Sequence, residues 1–82
     1  MDKTFIVIVR LRHKHEKIKK ICEDFKRTSE SSGEPLEYEI EGNRLIITGC
    51  KDKRHAYRIR KFWQKPDFKN LVIYALVKEI ML

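Results

Sequence analysis

At Gly42-Asn43 an alternating run, Leu36-Glu37-Tyr38-Glu39-Ile40-Glu41, meets a second strand-like run, Arg44-Leu45-Ile46-Ile47-Thr48. Gly and Asn both tolerate φ > 0, and such a pair between two strand-like runs predicts a tight hairpin. The hairpin fixes two adjacent antiparallel strands near the middle of the chain. Whatever else forms must be built outward from it on both sides.

On the N-terminal side, Thr4 to Leu11 is rich in β-branched residues and apolar at nearly every position. That is the pattern of a strand buried on both faces. Ile18, Ile21, Cys22 and Phe25 then recur at i, i+3, i+4, i+7, the spacing of one apolar helix stripe. Thr28-Ser29-Glu30-Ser31-Ser32-Gly33-Glu34-Pro35 reads as a loop by composition. On the C-terminal side, Asp52 is placed to cap a second helix that Pro66 stops. Projected at 100° per residue, Phe62, His55, Ile59, Trp63 and Ala56 share about 120° of arc, and charged residues fill the rest. Leu71 to Val77 is another strand apolar on both faces, with Ile80-Met81-Leu82 behind it.

The resulting order, βαββαβ, resembles the ferredoxin-like split βαβ arrangement. The resemblance implies an α+β two-layer sandwich: a four-stranded antiparallel sheet, spatial order 4-1-3-2, with two helices on one face. The other face is left to solvent or to a partner.

With 82 residues the expectation is a single small domain over residues 1–82. A hydrophobic fraction of 41% is too high for a disordered chain, even one that is 38% charged. Two cysteines are too few for a disulfide scaffold. The longest uncharged apolar run, Leu71 to Val77, is far short of the roughly 20 residues that span a bilayer. Arg10 interrupts the N-terminal apolar run and no small-residue cleavage site follows it. These features predict a soluble, cytoplasmic domain with no membrane partner.

The net charge of +7 is unevenly laid out. Residues 1–20 carry +5, residues 21–43 carry −5, residues 44–69 carry +7, and the remainder is neutral. The strongest basic block coincides with the second amphipathic helix. From Lys51 to Lys61 there are six Lys/Arg in eleven residues: Lys51, Lys53, Arg54, Arg58, Arg60 and Lys61. On the exposed arc they surround Tyr57, an aromatic able to stack on a base or ribose. Lys65 extends this face, and Arg12, Lys14 and Lys17 near the first helix extend the positive surface. Arginine adds bidentate phosphate contacts that lysine lacks. A solvated helix face would show the same segregation, but the overall excess of base favours an anionic partner. Nucleic acid, RNA in preference to DNA, is the partner these features predict.

A competing expectation comes from the sheet. With Phe5, Val7, Val9 and Leu11 turned toward the helices, Ile6 and Ile8 face outward. Ile46, Val72, Tyr74 and Leu76 are then expected beside them. Contiguous exposed apolar patches usually mark an interface. The patch predicts a homodimer, or a subunit of a larger assembly that acts as a non-enzymatic interaction module. The C-terminal tail folding back over the patch is the alternative.

Catalytic chemistry finds no support in the residues. There is no G-x-x-x-x-G-K-[ST] and no G-x-G-x-x-G, and three glycines leave little for a phosphate cradle. Acylphosphatases share the expected fold, but their glycine-rich phosphate loop is missing from Leu11-Arg12-His13-Lys14. Glu37, Glu39 and Glu41 alternate along one strand and read as a solvated sheet edge. His13, His15, Cys22, Cys50 and His55 lack zinc-site spacing, so no metal and no cofactor are expected. Cys50 precedes a basic helix N-terminus, an environment that lowers a thiol pKa, although an inert strand-end cysteine is the simpler reading. The RNA-recognition motif reads RNA with aromatics on its central strands. Here those strands carry none beyond Phe5 at one end, so base stacking on the sheet is not expected.

Overall fold

The structure, a computed structural model, describes residues 3–12 and 16–81. Its elements follow in the order β1 (Lys3–Leu11), α1 (Glu16–Ser31), β2 (Glu37–Glu41), β3 (Arg44–Thr48), α2 (Lys53–Trp63), a short 3-10 turn (Pro66–Phe68) and β4 (Val72–Met81). The hairpin forms where the turn residues place it, between β2 and β3. Gly42 takes φ of +59° and Asn43 stays at negative φ, so glycine serves as the first central residue of the turn. The sheet order is β2-β3-β1-β4 with every neighbouring pair antiparallel. This is the α+β ferredoxin-like two-layer fold.

Alternation explains which face meets the helices. Val7, Val9 and Leu11 on β1 and Leu45 and Ile47 on β3 are all buried to 1% exposure or less. They pack with Ile18 and Cys22 of α1 and with Ala56, Ile59 and Trp63 of α2 in one core. His55 is buried in the α2 stripe and Phe62 half-buried, as the helical projection requires. An aromatic group closes the end of the core nearest the 3-10 turn. Phe62 and Trp63 meet edge-to-face at 5.4 Å, and Phe68 lies 5.3 Å from Trp63.

Three expectations need correction. First, α1 runs on to Ser31 instead of giving way to loop at Thr28. Ser29 continues the stripe of Ile18, Cys22 and Phe25 and is buried. The helix ends only when Gly33 enters the left-handed region at φ +81°. There Glu34 N–H donates to Ser29 O and Gly33 N–H to Glu30 O, the paired bonds of a Schellman stop. Composition alone had favoured loop because Ser and Thr compete locally for backbone groups.

Second, the alternative of a tail folded back over the sheet does not hold for Ile80 and Met81. They prolong β4, pairing Ile80 with Thr4 and Met81 with Lys3. Third, Val72 does not face outward. The β1–β4 register shifts between Arg10, which pairs with Tyr74, and Leu11, which pairs with Val72. The extra residue, Ile73, reverses the parity of alternation at that point. Val72 is therefore buried in the core at 8% exposure, whereas Ile73 and Tyr74 are both exposed, at 51% and 47%. No helix among the described residues is long and apolar enough to cross a membrane.

Asp52 caps α2 as its sequence position predicts: its carboxylate accepts the His55 N–H at 2.8 Å. Asp52→Ala leaves that donor without its partner and is expected to cost about 1 kcal/mol. A urea titration followed by circular dichroism checks it, and an unchanged midpoint would mean the cap is redundant.

Candidate nucleic-acid interface

Helix α2 has no acidic residue along its length. Burial of His55, Ala56, Ile59 and Trp63 turns Lys53, Arg54, Tyr57, Arg58 and Lys61 outward, and all five are exposed. Arg60 is half-buried along the edge of this face. Tyr57 is 44% exposed, large for an aromatic, and sits between cations. The Arg60 guanidinium carbon lies 5.4 Å from its ring centroid and Lys53 Nζ 6.0 Å away. Such cations lie against the negative faces of the ring and hold it in place. Lys65, just beyond the helix, covers the ring of Phe62 at 4.8 Å. Arg58, Lys61 and Lys65 line a shallow groove of about 530 Å³ with Phe62 among its walls.

The helix's own electrostatics account for part of this charge. Arg60 and Lys61 stand in the last turn, where a cation is favoured by the helix dipole. Arg58 donates to Glu34 at 3.2 Å across the gap to the loop after α1. Glu34 also approaches His55 Nε2, at 3.6 Å. His55 Nδ1 accepts the Lys51 N–H at 3.0 Å, which leaves the ring proton on Nε2, toward Glu34. His55 is therefore a bracket joining the start of α2 to the loop after α1. Arg58, anchored to Glu34, is the least available cation of the set.

The other sequence candidates are placed unevenly. Arg12, at the end of β1, does come to the end of α2: its Nε donates to Lys69 O at 3.2 Å, and it shares a cleft with Lys65. Lys17 is exposed on the first turn of α1. Lys51 is exposed just ahead of the α2 cap. Lys14 lies outside the described residues. Lys69 was not among the candidates, because nothing in its local sequence shows that the 3-10 turn carries it beside Arg12.

The open sheet face can be read row by row from the register. One row crosses the sheet as Glu39, Ile46, Ile8 and Leu76. The next runs Glu41, Arg44, Arg10 and Tyr74, with Arg44 bonded to Glu41 at 3.4 Å. On the other side Glu37 pairs with Thr48, and Ile6 with Lys78. An apolar stripe of Ile6, Ile8, Ile46 and Leu76 thus lies between an acidic edge and Lys78.

Neither cysteine is activated. Burial is the main cause that pushes the Cys22 thiol up to about 12, and Glu23 adds to it. Burial also raises the Cys50 thiol, with Asp52 adding to the rise and a backbone hydrogen bond opposing it, so the lowering expected from its basic surroundings does not appear. Among the described residues no three His, Cys, Asp or Glu side chains gather as a metal site. Comparison of the chain with protein-family models, with curated proteins and with solved structures finds no match.

Proposed function

We propose that the chain is a cytoplasmic RNA-binding protein without a reaction of its own, contacting phosphates through the exposed face of α2. The observation that carries this reading is a helix face of Lys53, Arg54, Lys61 and Tyr57 with no acid on the helix. Two carboxylates beside the helix are occupied, Asp52 by the helix cap and Glu34 by Arg58 and His55. RNA is favoured over DNA because an exposed aromatic braced by cations suits unpaired bases, which RNA presents in loops and ends. Roughly five phosphate contacts give an affinity whose logarithm falls with log salt at a slope of about 3 to 4. A salt series of tRNA binding measures that slope. Salt-insensitive retention would overturn the reading.

A second reading rests on the open sheet face, whose stripe of half-buried Ile6, Ile8 and Ile46 with exposed Leu76 suits self-association. A two-fold axis parallel to the strands sets β2 of one copy over β4 of another. Glu37 then meets Lys78 of the second copy and Ile8 meets Ile46, contacts that must outweigh Arg10 set opposite Arg44. An in-plane axis across the strands instead stacks the two glutamate rows, which repel. Sedimentation at micromolar concentration is expected to give a dimer that Ile8→Lys converts to monomer. A monomeric parent protein removes this reading.

A further inference from the structure

A cleft of about 420 Å³ lies between the end of α2, the 3-10 turn and the start of β4. We propose that it seats one unpaired nucleotide of a single-stranded RNA, the phosphate held by Arg12, Lys65 and Lys69 and the base laid on Tyr74. The inference rests on the RNA reading of α2 and names where the strand goes once it leaves that helix.

Charge supplies the first argument. Arg12, Lys65 and Lys69 all line the cleft, and no carboxylate does so among the described residues. Asp67 lies in the same turn but is not part of the lining. Arg12 is also held in place, because its backbone N–H donates to Leu71 O at 3.0 Å and its Nε to Lys69 O at 3.2 Å. A guanidinium fixed in this way loses less freedom on gripping a phosphate than a mobile one.

Shape supplies the second. The volume falls within the roughly 300–1,000 Å³ of small-molecule sites. Trp63 and Phe68 form an apolar interior, while Tyr74 stands 47% exposed beside the cations. Tyr74 reaches this position because of the β1–β4 register shift, which turns Ile73 and Tyr74 outward in succession. Bulges recur where a side chain is re-aimed toward a site. Gln64 Nε2 donates to Ala75 O at 3.5 Å and ties the end of α2 to β4 across the cleft. Lys65 borders both this cleft and the groove along α2, so a strand can pass from one to the other without leaving positive charge.

A free nucleotide offers the same phosphate and base, so the test must separate it from a strand. Trp63 is the only tryptophan and borders the cleft from the core at 1% exposure, so a shift in its emission is a second readout beside affinity. The probes are a short single-stranded oligoribonucleotide, its duplex and free UMP, compared on the parent protein, Tyr74→Ala, Tyr74→Leu, and Arg12→Gln with Lys69→Gln. Single strand is expected to bind more tightly than duplex and to shift Trp63 emission. Tyr74→Ala and Tyr74→Leu should each lower single-strand affinity about tenfold or more, the size of one lost base stack, and leave duplex affinity unchanged. The Arg12/Lys69 pair should lower single-strand affinity as well.

Unchanged single-strand binding in both Tyr74 variants overturns the cleft assignment while the α2 reading stands. Loss of binding in those variants, with no loss on reversing Lys53, Arg54 and Lys61, supports the cleft and overturns α2. Saturable UMP binding without oligonucleotide binding overturns RNA as the source. Single-strand affinity unchanged in the Arg12/Lys69 pair overturns the phosphate assignment.

Discussion

Reversing Lys53, Arg54 and Lys61 to glutamate is expected to lower affinity for tRNA by at least about 100-fold at 0.1 M salt. The size follows from counterion release. Each phosphate neutralised on single-stranded nucleic acid contributes a salt exponent of about 0.7, worth roughly fivefold at 0.1 M, and three contacts multiply to about 100-fold. Placing carboxylates where cations stood adds repulsion on top of the lost contacts. The slope of log affinity against log salt should fall by about 2 at the same time. A variant that loses affinity with an unchanged slope would point to misfolding or to a lost uncharged contact.

The choice of these three residues comes from the structure. Arg58 belongs to the same exposed face, yet it is paired with Glu34, which also faces His55. Glutamate at that position would put two carboxylates together beside a buried histidine, and a loss of binding could then follow from a damaged fold. Lys53, Arg54 and Lys61 are exposed and lie outside the buried stripe of the helix. Their replacement should leave the unfolding midpoint nearly unmoved, since surface substitutions of this kind usually fall within about 0.5 kcal/mol.

The fold could be read from residues wherever a local cause decided the structure. The Gly42-Asn43 turn, the Asp52 cap and the α2 stripe all depend on neighbours within a few positions. Their assignment needed no knowledge of the rest of the chain. The misreadings share the opposite property. Thr28 to Ser31 is helical because Ser29 is buried, a consequence of packing, and the local stop comes only at Gly33. Val72 turned inward because of a register shift against β1, and single-strand alternation carries no trace of a shift in pairing. The candidate interface divides along the same line. The basic face of α2 follows from helical periodicity, whereas the meeting of Arg12, Lys65, Lys69 and Tyr74 depends on a 3-10 turn and a bulge. Residues separated by 57 positions, such as Arg12 and Lys69, are brought together only by the closed fold.

Trp63→Ala is expected to be the most damaging single substitution. Trp63 is 1% exposed and heads the largest fully buried side chains. Its ring contacts Phe25, Phe62 and Phe68 at centroid distances of 6.0, 5.4 and 5.3 Å, so truncation opens a void that three other rings must line. Removing a buried Trp or Phe side chain costs about 3–5 kcal/mol. A chain of 82 residues has total stability of only about 4–12 kcal/mol, so the substitution removes a quarter or more of it and at the lower end leaves the variant unfolded near 37 °C. Trp63→Phe separates two contributions to this position. It gives up part of the ring volume, but it also removes an indole N–H that is buried with no acceptor. An unsatisfied buried donor carries a penalty of about 1–3 kcal/mol, which offsets much of the lost packing. Trp63→Phe is therefore expected to fold and to sit within about 1–2 kcal/mol of the parent protein. Because either change removes the only tryptophan, urea unfolding must be followed by circular dichroism. A loss of about 3 kcal/mol or more for Trp63→Phe as well would mean that the indole N–H finds a partner in solution, so that its removal adds to the lost packing instead of offsetting it.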